Sequence, residues 1–297
     1  MRKLVVAASA VLVALALIVA PVAAITGDWV KDFEHPFVGL AVFYDANGDF
    51  LWRCSGSLLS PTVFLTAGHC ADTVGGAVTA RVYFQQDAGV HYDPATQHDP
   101  VSGYPDTCAS GTLGKVCATS DEIYNFGFPG YLALPNTHDA GLLILDQSIS
   151  LPEYGRLAPV GTLDSLATQR GTAETVFTAS GYGLSYKTNA NSPLGNTSFR
   201  ERLMAASVLV NLGSTFTDGY NLQTQGNGDE LGGTCNGDSG GPMFLGGPSS
   251  NQVVGVTSFG LNSLCRGTDY AYRVDTAAVQ NWIQATVGRK RWAAIAP

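Results

Sequence analysis

The sequence predicts an all-β fold built in two halves, and three observations carry that expectation. Glycine is abundant, at 35 of 297 residues, while only 13% of side chains are charged. That balance suits short strands and tight turns better than long charged helices. Short apolar or alternating segments recur across both halves, and the first half holds no stretch with a long 3.6-residue period. With 45% hydrophobic residues the chain can bury a sizeable core, as one two-part domain or two small ones.

Residues 1–24 read differently. Met1-Arg2-Lys3 is a positive start, Leu4 to Ala20 is apolar but for Ser9, and Pro21-Val22-Ala23-Ala24 ends in small residues. This is the pattern of a secretory signal peptide cleaved after Ala24. The apolar run is longer than most signal cores, so an uncleaved membrane anchor is the alternative. Without Arg2 and Lys3 the chain carries 14 basic against 24 acidic side chains, a net charge of −10. An acidic, sparsely charged surface argues against nucleic acid as a partner. Arg289-Lys290-Arg291 is a solvated tail rather than a binding patch. Export accounts for six cysteines, which pair in an oxidising compartment.

In the first half (25–152) strands are expected at Val38–Tyr44, Phe50–Leu59, Val63–Thr66 and Ala77–Phe84, with Asn47-Gly48 as a hairpin turn. The last strand alternates, with Val78, Ala80, Val82 and Phe84 on one face and Thr79, Arg81 and Tyr83 on the other. This half reads as a small barrel or sandwich. Residues 85–135 hold much Asp, Gly, Pro and Tyr and are expected to form an enlarged surface loop containing Cys108 and Cys117. His91, Asp93, His98 and Asp99 lie in that loop, but their spacing matches no metal-ligand pattern, so they are read as solvated.

The second half (153–297) has its clearest strands at Glu174–Ser180, Arg202–Val210, Met243–Leu245 and Val253–Phe259. Asn196-Thr197-Ser198 is a glycosylation sequon. Asp275-Thr276 caps a helix over 276–287, with Val279, Trp282, Ile283 and Val287 on one stripe and Gly288 after it.

Three short motifs carry chemistry. Gly237-Asp238-Ser239-Gly240-Gly241-Pro242 puts a serine between glycines. Such a turn can aim two backbone N–H groups, here those of Gly237 and Ser239, at a developing oxyanion. The same residues satisfy G-x-S-x-G, but the α/β-hydrolase order needs a histidine after the serine, and the last histidine is His138. Leu65-Thr66-Ala67-Gly68-His69-Cys70 offers a histidine, whose ordinary pKa of about 6.5 suits a general base. His138-Asp139 precedes the apolar run Ala140–Leu145, where Asp139 can be buried and accept the second N–H of the histidine.

Together the three motifs resemble the chymotrypsin/trypsin-like serine peptidase family over nearly all of Ile25 to Gly288. The resemblance implies two antiparallel six-stranded β-barrels packed around a cleft, with a C-terminal α-helix on the second barrel. It implies a triad of His69, Asp139 and Ser239, an oxyanion hole from Gly237 and Ser239, and no cofactor or metal. It also selects the disulfides Cys54–Cys70 and Cys235–Cys265, which leaves Cys108 with Cys117. Ser180-Gly181-Tyr182-Gly183 resembles the family's Gly-Trp-Gly turn. Ser258-Phe259-Gly260 resembles the strand whose backbone pairs with substrate. Ala140-Gly141 and Tyr182 depart from the family pattern.

Cleavage after Ala24 would expose Ile25-Thr26-Gly27, similar to the family's mature start, and the Ile25 amine would pair with Asp238. No separate activating protease is then expected. The pocket-base position of trypsin-like members falls on Gly233, beside Thr234, so the usual acid is absent. Counting back from Arg273-Val274 places Asp269 on the opposite wall. Mixed preference for Arg, Lys and large apolar side chains follows as the expectation. The implied protein is a secreted, monomeric endopeptidase acting on protein or peptide substrates, without stable membrane association after signal cleavage. The alternative is a catalytically silent binding protein on the same scaffold.

Overall fold

The computed structural model describes residues 25–88, 117–167, 174–185, 201–262, 265 and 267–297. The expected signal peptide, the sequon, Cys108 and the four loop residues His91, Asp93, His98 and Asp99 lie outside them.

Two short strands open the chain, β1 (Thr26–Gly27) and β2 (Val30–Lys31). The first barrel follows: β3 (Val38–Tyr44), β4 (Phe50–Ser60), β5 (Val63–Thr66), β6 (Thr79–Tyr83), β7 (Cys117–Ser120), β8 (Glu122–Asn125) and β9 (Gly141–Ile144). They pair in the order β7-β6-β3-β4-β5-β9-β8. Only Asp121 separates β7 from β8, so the two act as one bent strand that pairs with β6 at one end and β9 at the other. The ring therefore closes on six strands. Closure removes exposed sheet edges.

The second half contains β10 (Arg156–Leu157), the one-turn helix α1 (Asp164–Ala167), β11 (Val176–Gly181), β12 (Leu203–Asn211), β13 (Asn221–Gln225), β14 (Gly232–Gly233), β15 (Pro242–Leu245), β16 (Gln252–Gly260) and β17 (Thr268–Arg273). Here β16-β15-β11-β12-β13-β17 closes back onto β16, again six strands. The expected pair of six-stranded antiparallel barrels is present.

Three details differ from the sequence expectation. Residues 117–125 form a barrel strand inside the segment expected to be loop, because Cys117, Ala118 and Ser120 face the core between Asp- and Gly-rich stretches that hide the pattern. Val78 is 47% exposed, since β6 starts only at Thr79, whereas Ala80 and Val82 are buried as expected. The C-terminal helix α2 spans Ala277–Ile295, past its expected end. Gly288 does leave helical geometry (φ 75°, ψ 166°), but the chain resumes helix and buries Ile295. Thr276 caps it by accepting from Val279 N, while Asp275 pairs with Arg273 at 2.8 Å. The helix lies across both halves rather than on the second barrel alone. Trp282 meets Phe126 of the first half at 5.1 Å, and Gln280 donates to Ala158 O at 2.7 Å.

Where the barrels meet, a polar knot is sealed from water. Asp32, His35, Ser180 and Arg202 are all buried. His35 Nδ1 contacts Asp32 at 2.9 Å, and Ser180 donates to the same carboxylate at 2.5 Å. Arg202 donates to the carbonyls of Asp32, Val38 and Phe84 at 3.1–3.2 Å. Buried charges persist only when paired in this way.

Candidate active site

The histidine loop follows β5 and turns tightly, with Cys70 N and Ala71 N both donating to Ala67 O. The Cys54–Cys70 disulfide ties the turn to β4. Strand β9 runs beside β5, which brings Asp139, just before it, under the turn. Asp139 is fully buried. Its Oδ1 accepts from His69 N at 2.7 Å and its Oδ2 lies 2.9 Å from His69 Nδ1. A carboxylate can only accept, so Nδ1 carries the proton and Nε2 presents a free lone pair. Ser258 Oγ closes on the same Oδ2.

Burial disfavours the imidazolium, but the charge and hydrogen bond of Asp139 outweigh it and raise His69 above its ordinary value. His138, by contrast, turns away and lies against Phe126 at 4.9 Å.

The loop that carries Ser239 is held from both barrels. Ser55 N, on β4, donates to Ser239 O at 2.8 Å, and Gly240 N donates to Thr257 O at 2.7 Å. Ser239 lines a cavity of about 240 Å³ together with Tyr131, Thr234, Ser258, Phe259 and Asp269. Two of those neighbours, Ser258 and Tyr131, are the residues that touch Asp139 and His69. No hydrogen bond joins Ser239 to His69 in this conformation.

The cavity floor is built from an unusual pairing. Asp269 is 8% exposed and its Oδ2 accepts from Thr234 N at 2.8 Å. Gly233 does not line the cavity; a Cβ there would stand 2.5 Å from Asp269 Oδ2. The absent side chain is what admits the carboxylate. Burial pushes Asp269 up to about 6, against the hydrogen bonds from Thr234. The Cys235–Cys265 disulfide brackets the cavity. Cys117 is also disulfide-bonded.

Behind the serine, Asp238 is fully buried and accepts from Gly183 N at 2.8 Å and Cys235 N at 2.9 Å. Burial lifts it to about 7, and Asp269 adds to the rise. The expected ion pair with Ile25 requires a free amine, which exists only after cleavage following Ala24. Ile25 is nonetheless fully buried, and Thr26 pairs with Gly233 across β1 and β14.

Sequence reasoning missed Tyr131. It sits in a single turn of 3₁₀ helix (Tyr131–Ala133) within the segment expected to be loop. Its hydroxyl donates to Ser258 O at 2.9 Å and stands 3.2 Å from His69 Nδ1. Its ring contacts Phe128, Phe259 and His69. A tyrosine among Gly, Pro and Phe carries no local signal for such a role.

The family profile described as Trypsin matches residues 31–283. Brachyurin from Leptuca pugilator is 29% identical over 253 residues, covering 81% of this chain and 90% of its own. Chymotrypsin-like elastase family member 3B from Macaca mulatta is 28% identical, covering 82% of this chain and 86% of its own. Among solved structures, HL collagenase superposes with a TM-score of 0.57 at 18% identity, covering 86% of this chain and 94% of its own. A mutant of human heparin binding protein gives 0.56 at 19%, covering 85% and 91%. The two structures speak for the fold, whereas the match over residues 31–283 speaks for the lineage: the chain belongs to the trypsin family of serine proteases.

Proposed function

We propose that the protein is a secreted serine endopeptidase that hydrolyses peptide bonds through His69, Asp139 and Ser239. The observation that carries this reading is the buried Asp139, which holds both the backbone and Nδ1 of His69 beside the cavity that Ser239 lines. Ser239 Oγ attacks the substrate carbonyl while His69 Nε2 takes its proton. The N–H groups of Gly237 and Ser239 receive the oxyanion. His69 then protonates the leaving amine, and water releases the acyl group by the same steps. The contact between Ser239 and His69 is the one link that must tighten when substrate binds.

Removal of residues 1–24 supplies the second element of the reading. Asp238 is buried with only backbone donors, and the Ile25 side chain is already inside. An ammonium at Ile25 would give that carboxylate the cation it lacks. The four cysteines bonded as Cys54–Cys70 and Cys235–Cys265 suit an oxidising compartment. Among the described residues, no helix is long and apolar enough to cross a membrane.

Specificity is proposed to be mixed. Asp269 favours Arg or Lys, while the apolar faces of the cavity accept large apolar side chains above it. A binding protein on this scaffold is the competing reading, and a relative in fold is titled a heparin binding protein. The net charge of −8 disfavours a polyanion as ligand here. An organophosphonate should label the wild-type protein beginning at Ile25 and leave Ser239→Ala unlabelled. Folded wild type that resists labelling would sink the peptidase reading.

A further inference from the structure

A single buried hydroxyl joins the first barrel to the loop that carries the proposed oxyanion hole. Ser55 is fully buried on β4, next to the Cys54–Cys70 disulfide. Every hydrogen-bonding group it owns is used. Its N–H donates to Ser239 O at 2.8 Å and its carbonyl accepts from Thr66 Oγ1 at 2.8 Å. Its Oγ donates to Gly237 O at 2.8 Å and accepts Tyr182 N–H at 2.9 Å. One residue of the first barrel thus holds the carbonyls of both residues whose N–H groups would face the oxyanion.

The geometry makes the Gly237 contact the sensitive one. Gly237 has φ 97°, a region glycine enters freely and from which it can also leave. The peptide before it is pinned through Asn236 O, which accepts Leu184 N at 2.7 Å. In a trans peptide the N–H points opposite the C=O, so that bond aims the Gly237 N–H. The peptide after it has its carbonyl pinned by Ser55 Oγ, while its N–H, that of Asp238, donates to Cys235 O at 3.0 Å. Remove the hydroxyl, and Gly237 O and Tyr182 N both lose a buried partner. The residue with the greatest torsional freedom is then released on one side.

We propose that Ser55 is a positioning residue for the oxyanion hole, acting through Gly237 and not touching substrate itself. The proposal rests on the peptidase reading above. It predicts a loss confined to the transition state, because a hole slightly out of place still lets the substrate bind. Removing a hole donor outright costs on the order of 10²–10³ in turnover. Loosening one should cost less, roughly 10-fold to 100-fold.

The test compares wild type, Ser55→Ala and Ser55→Gly, each beginning at Ile25. The substrate is a peptide p-nitroanilide with Arg at the cleaved position, and the inhibitor is the peptide aldehyde of the same sequence. Its tetrahedral adduct places an oxygen in the hole. The expected result is a fall in kcat of that size, KM within about twofold, and weaker aldehyde binding by the same factor as kcat/KM. Equal kcat in all three proteins would overturn the proposal while leaving the peptidase reading intact. So would a rise in KM without a loss in kcat, or loss of the cooperative melt in both variants, since the hydroxyl would then hold the fold and not the hole. If wild type itself neither turns over nor reacts at Ser239, the peptidase reading falls and this proposal with it.

Discussion

Four of the buried carboxylates divide into two groups, those beside an imidazole or guanidinium and those around the Ser239 loop without one, while a fifth, Asp275, is paired with Arg273. Asp139, on the first-barrel side, lies against an imidazole, and Asp32 at the junction has His35 and Arg202. Burial works against ionisation of Asp32, yet His35, Arg202 and Ser180 outweigh it and hold it below the usual range. Around the Ser239 loop, Asp238 is held by backbone N–H groups alone and Asp269 by the backbone and side chain of Thr234, and burial lifts them to about 7 and about 6. The difference is physical. A carboxylate already set beside an imidazole or guanidinium is finished, whereas one held by neutral donors alone still gains from an arriving positive charge. On the proposed function, the first-barrel acid serves a fixed partner, and the two around the loop would receive charges that come later, the amine at Ile25 and a basic substrate side chain.

Breaking the finished pair should have the largest effect. Asp139→Asn keeps the shape but removes the charge and favours the wrong imidazole tautomer, and turnover should fall about 10⁴-fold, the loss characteristic of this family. The lower limb of the pH–rate profile should also move to lower pH, because Asp139 raises His69. A pH–rate series on both proteins reads out the two effects.

Asp238 sharpens the comparison next. In protein beginning at Ile25, Asp238→Asn should lower kcat/KM roughly 10²–10³-fold, as loss of one partner from a buried pair costs about 3–5 kcal/mol. The chain still carrying residues 1–24 should behave in the opposite sense. Its Asp238 binds a proton more tightly folded than unfolded, so stability is greatest below the ordinary carboxylate range. It should then decline as pH rises from about 4 to about 7. Urea melts of the two forms across that window should diverge; parallel curves would show that Ile25 never reaches Asp238.

Asp269 predicts a smaller and more specific effect. Its carboxylate is neutral below about 6 and charged above it. The ratio of kcat/KM for Arg over Leu substrates should therefore rise through that pH and fall roughly 10-fold or more in Asp269→Gly. A ratio that ignores both pH and the substitution places the carboxylate's influence outside substrate choice. Tyr131→Phe should have the least effect. It frees Ser258 O for a substrate N–H and lowers KM about two- to fivefold with kcat unchanged, the scale of one hydrogen bond.

The sequence by itself determined the all-β class, most strands of the first half, and the three motifs that carry His69, Asp139 and Ser239. Those features are local: β3 and β5 match their apolar runs end to end, and each motif lies within a few consecutive residues. The resemblance carried Cys54–Cys70 and Cys235–Cys265 across gaps that no local pattern spans. Tertiary structure alone decided that β7 and β8 close the first barrel, since their burial depends on β6 and β9 and not on their own weak pattern. It alone put Tyr131 on Ser258, 127 residues away, and Ser55 on Gly237, 182 residues away. It also explained Gly233, whose missing side chain matters because Asp269 comes from another strand to fill the space. Chemistry written in short runs survives in the sequence, but contacts between distant strands exist only after the barrels close, because closure selects which backbone groups and side chains meet.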